Sequence, residues 1–242
     1  MVQEARNLQK TAQDELNRLG RPGSVSTIAF MGYDPPSNPI HTASPRDLWR
    51  TISDDRARAG AANLSSYLQQ VRTNNPTAHI SVFGHSYGSL TASLALQQLN
   101  AQGLHPVNDA VFYGSPGLEL TNPSQLGLTH GQAFVMRAVG DDLIPELAPL
   151  APLHGWGVDA YGGMMPELSS QAGTSADGVV RAGVHSHADY LRAVAGPGGE
   201  SVLRMSGYNL AVIAAGIADM PDGAKQLMMA PTPLKPYPHA GG

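Results

Sequence analysis

Gly84-His85-Ser86-Tyr87-Gly88 sets a serine between two glycines, each two positions away. A serine hydroxyl is a weak nucleophile until a neighbouring base takes its proton. The G-x-S-x-G spacing serves that need by forcing a sharp bend between a strand and a helix. The bend lifts the hydroxyl clear of the sheet, and only glycines leave room for it. "HISVF" before Ser86 is β-rich, and the Ala/Leu-rich stretch after it is helical in pattern. A helix starting near Tyr87 aims its positive end at Ser86. The Tyr87 backbone N–H then points to where an oxyanion would develop. His85 and Ser115 (in "YGSPG") are candidate substrate-binding residues beside this serine.

A base and an acid should follow in chain order. "GDDLIP" puts Asp141 and Asp142 at the carboxyl end of "AFVMRAV" (133–139). Asp142 is preferred as the acid, because "DLIP" has the look of the Asp-x-Ile-Pro that follows this strand in hydrolases. "VHSHADYL" offers His185 and His187. His187, nearer the next helical pattern, is preferred as the base. A His pair at i, i+2 without a third ligand nearby is a poor metal site, so no metal or organic cofactor is expected. His154 sits too early for the base and is left as a pocket residue. His41, His79, His105, His130 and His239 are read as surface or turn histidines.

These groups need elements to carry them. Residues 2–19 read as a helix, with Val2, Ala5, Leu8, Ala12, Leu16 and Leu19 at intervals of three to four, stopped by Gly20 and Pro22. Residues 24–32, "SVSTIAFMG", read as a strand, followed by the proline-rich loop "YDPPSNPIHTASP". Helices are predicted over 54–72 and 89–103, and strands over 78–83, 109–114 and 133–139. Helices are also predicted over 188–196 and 200–217. Strands alternating with helices imply a mostly parallel sheet covered on both faces. Ligands in such sheets sit at the carboxyl ends of the strands, where Ser86 and Asp142 fall. Residues 143–184, rich in Gly, Pro and Met with Trp156 and Tyr161, read as a lid or insertion, and Met164 as part of an acyl-binding wall. Residues 1–225 form the expected single domain, and 226–242 a loose tail.

The chain has 242 residues, a formal net charge of −4 and no cysteine. The charge is scattered, so nucleic acid is not an expected partner. The absence of cysteine excludes disulfides, a thiol nucleophile and cysteine-bound zinc. No run approaches the roughly 18 apolar residues of a membrane span. The first 20 residues lack an apolar core, so they do not read as a secretory signal, and the cytoplasm is slightly favoured.

"MGYDPP", "FGHSYGSL", "VFYGSPG", "GDDLIP", and "HADYL" with "YNLAVIAAG" occur in this order in an actinobacterial alpha/beta hydrolase family of unknown function, which the chain resembles over about residues 2–216. Cutinase-like esterases and phage mycolate esterases are its distant relatives. The resemblance implies a three-layer α/β-hydrolase-like fold, with Ser86 as nucleophile, Asp142 as acid and His187 as base. It also implies a strand before "MVQEARNLQ", whose loop gives a second oxyanion N–H; the expectation is a sheet without that strand, and a truncated product of low activity is one reading of it. A partner chain or second copy completing the sheet is one expected remedy; Gly32 or Tyr33 as the second donor is another. The expected function is cleavage of small-molecule or lipid esters. The rival is a silent domain that works as a binding or assembly module.

Overall fold

The computed structural model describes residues 2–32, 54–129, 131–138, 142–146 and 148–231. Helix α1 (Val2–Arg18) buries Leu8, Ala12 and Leu16, as its spacing requires, and gives way at Gly20 with φ +63°. Helix α2 (Asp54–Asn74) buries Ala57, Ala61, Leu64 and Leu68. Strand β1 (Ser81–His85) leads into α3 (Tyr87–Ala101) and then β2 (Asp109–Tyr113). Strand β3 is Ala133–Met136, and α4 is a single turn over Leu143–Glu146.

Three parallel strands in the order β1-β2-β3 make the central sheet, with Ser81 opposite Asp109, His85 opposite Tyr113, and Tyr113 opposite Met136. All of β2 is buried, as expected of a strand covered on both faces. Its side chains alternate between two cores. Ala110 and Phe112 join Val82 and Val135 against α2 and α3. Val111 and Tyr113 join Phe134 and Met136 against α1 and the late helix α5 (Met205–Ala214). Helix, sheet and helix therefore form three layers, and the strand ends are left as the rim on which side chains can meet.

The structure revises several expectations. Residues 24–32 form no strand. The segment is tied to α1 instead: Gln13 accepts from the Val25 N–H and donates to the Gly23 carbonyl just before it, Gln9 donates to the Val25 carbonyl, and the Thr27 hydroxyl donates to the Ala5 carbonyl. Residues 188–196 form no helix. They turn and enter the hairpin β6 (Ala193–Ala195) and β7 (Ser201–Leu203), reversed by Gly196-Pro197-Gly198-Gly199. The last helix therefore begins at Met205 and not at residue 200.

The described part of 143–184 is sewn into the body. Trp156, Tyr161 and Met165 are buried in the first core, and Leu120 and Val135 bridge to Gly157 and Glu167. A short hairpin, β4 (Gly173–Thr174) with β5 (Val180–Arg181), completes it. Residues 226–231 are not loose either: fully buried Asn209 bonds both the N–H and carbonyl of Met228, and Leu168 bridges to Met229. The rest of the expected tail lies outside the described residues. Among those residues, no helix is long and apolar enough to cross a membrane.

Candidate active site

Ser86 alone turns the chain from β1 into α3, with φ +55° and ψ −130°. An L-residue held there is strained by about 1–3 kcal/mol. The surroundings fix it: its N–H donates to the Tyr113 carbonyl at 3.0 Å, and its carbonyl accepts from the N–H and hydroxyl of Ser89 at 2.9 and 2.5 Å. Gly84 is required, since a Cβ there would stand 2.6 Å from the Ser89 Cα. The Ser86 hydroxyl makes no capping bond to α3. Tyr87 opens α3 and is 7% exposed. Its amide lies in the first turn, at the positive end of the helix.

Asp142, at the start of α4, is 2% exposed. Its carboxylate accepts from His187 Nδ1 at 2.9 Å, the Tyr190 hydroxyl at 2.8 Å and the Ile144 N–H at 3.2 Å. The Tyr190 hydroxyl in turn accepts from the Ala138 N–H at 2.7 Å, which ties the end of β3 to the same network. Because a carboxylate only accepts, Nδ1 of the imidazole carries a proton. His187 Nε2 is buried and has no hydrogen-bond partner among the described residues, so no bond to Ser86 is formed. The ring rests on the bare Cα of Gly114 (φ +56°), where a Cβ would come within 3.1 Å of His187 Cε1. Gly114 directly follows the residue whose carbonyl holds Ser86.

His85 stacks on Tyr113 with ring centroids 4.9 Å apart, and lies 4.6 Å from the His187 ring and 5.5 Å from Tyr190. Its Nε2–H donates to the His187 carbonyl at 2.9 Å. Burial, then the nearby His187, lower its pKa to about 4, so the ring is neutral. Burial also pushes the phenols of Tyr113, Tyr161 and Tyr190 upward. They remain protonated.

The structure thus brings Asp142, His187 and His85 together on the rim that carries Ser86. Ser115, expected to touch substrate, is fully buried instead. Its hydroxyl lies 2.6 Å from that of Ser89 and accepts from the Gly117 N–H, so it braces the turn under α3. Met164 is half-buried against the core that holds Trp156 and Tyr161. His185 is exposed. Asp141, Tyr33 and the His154 side chain lie outside the described residues, and the Gly32 carbonyl accepts from Asn63. Sequence reasoning missed Tyr190; its one signal was a tyrosine three residues after His187. His79 is more than a surface residue. It meets buried Asp109 at 2.8 Å and lies 3.8 Å from Asp219, at the opposite end of the sheet.

A family model described as alpha/beta hydrolase matches residues 1–152, a span that includes Ser86 and Asp142. An uncharacterized protein of Mycobacterium bovis is 43% identical over 154 residues, covering 60% of this chain and 52% of that relative. An uncharacterized Mycobacterium tuberculosis protein matches to the same extent. A second uncharacterized Mycobacterium tuberculosis protein is 30% identical over 131 residues, covering 53% of this chain and 18% of its own length. The chain spans about half the length of the first two relatives.

Proposed function

The chain belongs to the alpha/beta hydrolase family, and on that premise we propose that it is a serine hydrolase that cleaves carboxylic esters through an acyl-enzyme. His187 Nε2 takes the Ser86 proton as Oγ attacks the ester carbonyl. The tetrahedral oxyanion forms at the N-terminus of α3, beside the Tyr87 amide. Collapse breaks the C–O bond, and His187 passes its proton to the leaving alcohol. Water, deprotonated by His187, then releases the acid and returns the proton to Ser86. Asp142 holds the imidazole tautomer and stabilises its protonated form.

One observation carries this reading: the imidazole of His187 is anchored at Nδ1 to buried Asp142, while Nε2 stays buried and unpartnered on the rim of Ser86. On this reading the uncapped Ser86 hydroxyl meets Nε2 when substrate binds, since such bonds commonly tighten only then. The test is labelling by a fluorophosphonate probe together with hydrolysis of short p-nitrophenyl esters. Wild type should label, and Ser86→Ala and His187→Ala should lose turnover by about 10⁴-fold or more. Labelling that persists in Ser86→Ala, or none in any form, refutes the proposal.

A second reading, an assembly module, draws on one feature: β1 pairs with β2 alone among the described residues. An inert protein that dimerises with rising concentration would favour it.

A further inference from the structure

We infer that His85 is a positioning residue that straps the backbone of His187 to the strand carrying the nucleophile, and not a substrate contact. The inference rests on reading His187 as the base. His187 lies among turns between Val184 and Tyr190, outside any helix or strand. Asp142 grips the ring at Nδ1 and Gly114 lies under it, but neither holds the backbone of His187.

His85 supplies two further constraints. Its Nε2–H donates to the His187 carbonyl at 2.9 Å, joining residues 102 positions apart in the chain. Its ring, 4.6 Å from that of His187 and tilted by 31°, bounds the space into which the base could rotate. His85 is itself held from behind by the Tyr113 stack at 4.9 Å, and Tyr190 adds a wall at 5.5 Å. Because a carbonyl only accepts, the strap exists only with a proton on His85 Nε2. His85 also directly precedes Ser86, so the strap couples the base to the bend that presents the hydroxyl. A residue spent in this way has no donor at Nε2 left for a ligand.

The expected consequence separates positioning from binding. Removing the strap lowers the fraction of molecules in which Nε2 faces Ser86, while substrate still binds. His85→Phe keeps a ring without the donor, His85→Ala removes both, and His85→Gln keeps an amide N–H that can reach the carbonyl. Steady-state hydrolysis of a p-nitrophenyl ester should show kcat about 10-fold lower in His85→Phe and His85→Ala, with KM within about twofold of wild type. His85→Gln should recover most of the loss. A rise in KM at constant kcat would make His85 a substrate contact and overturn the inference. So would wild-type kcat in all three variants.

A second measurement does not depend on activity. The downfield Nδ1 proton of His187 should be sharp in NMR spectra of wild type, Ser86→Ala and His85→Gln, and broadened by exchange in His85→Phe. Equal line widths in every variant would overturn the strap even in a protein that hydrolyses nothing. Absent hydrolysis in wild type refutes only the esterase reading, and the spectra then decide the strap.

Discussion

Replacing Ser86 with glycine is expected to make the protein more stable while abolishing its reactivity. The backbone at Ser86 (φ +55°, ψ −130°) is one that a Cβ opposes and a bare Cα tolerates. Relief of strain is worth about 1–3 kcal/mol, and glycine's greater freedom in the unfolded chain costs about 0.5–1 kcal/mol. The balance is a gain of about 1 kcal/mol over Ser86→Ala. That comparison isolates the Cβ, since both variants lack the hydroxyl and the hydroxyl makes no cap bond. Urea denaturation of wild type and both variants measures it. In thermal melts, a gain of that size raises Tm by about 2–4 °C in a domain of this length. Ser86→Gly equal to or less stable than Ser86→Ala would mean the bend stores no strain, and the case for a nucleophile lifted by a forced turn would lose its physical basis.

Three further outcomes are expected. Tyr190→Phe strands the Ala138 N–H and removes a donor from Asp142, so stability should fall by about 1–3 kcal/mol in urea titration. His85 has its pKa lowered from 6.5 to about 4; the unfolded chain therefore binds a proton that the folded one refuses, and stability drains away as pH falls from about 6.5 to about 4. Wild type should lose about 2–3 kcal/mol more than His85→Gln across that window, and parallel titrations with pH would disprove the burial of this ring. Trp156→Ala should cost about 3–5 kcal/mol, because Trp156 is 3% exposed in the core; near-wild-type melting with altered ester selectivity would instead make its segment a lid.

What could be read from the residues was largely local. The bend at Ser86, α1 and α2 follow from glycine placement and from apolar spacing over a few turns. Chain order and flanking residues single out Asp142 and His187. What lay hidden was decided across long separations. "STIAFMG" has strand-like residues, yet glutamines of α1 hold the backbone of Val25 just before it and Thr27 bonds back to the Ala5 carbonyl. "ADYLRAVAG" has helical spacing, yet a Gly-Pro-Gly-Gly reversal pairs its end with β7. The hold of Tyr190 on Asp142 and that of His85 on His187 span 48 and 102 residues, and no local pattern encodes them.

The wide sequence separation of Ser86, Asp142, His187 and Tyr190 has a consequence for synthesis. A chain still emerging from the ribosome can pair β1 with β2 long before the histidine and the tyrosine have been made. A nascent or prematurely ended chain would therefore present its serine with no partner to activate it. On the proposed reading, Ser86 would become reactive only once the segment carrying His187 and Tyr190 has docked on the sheet.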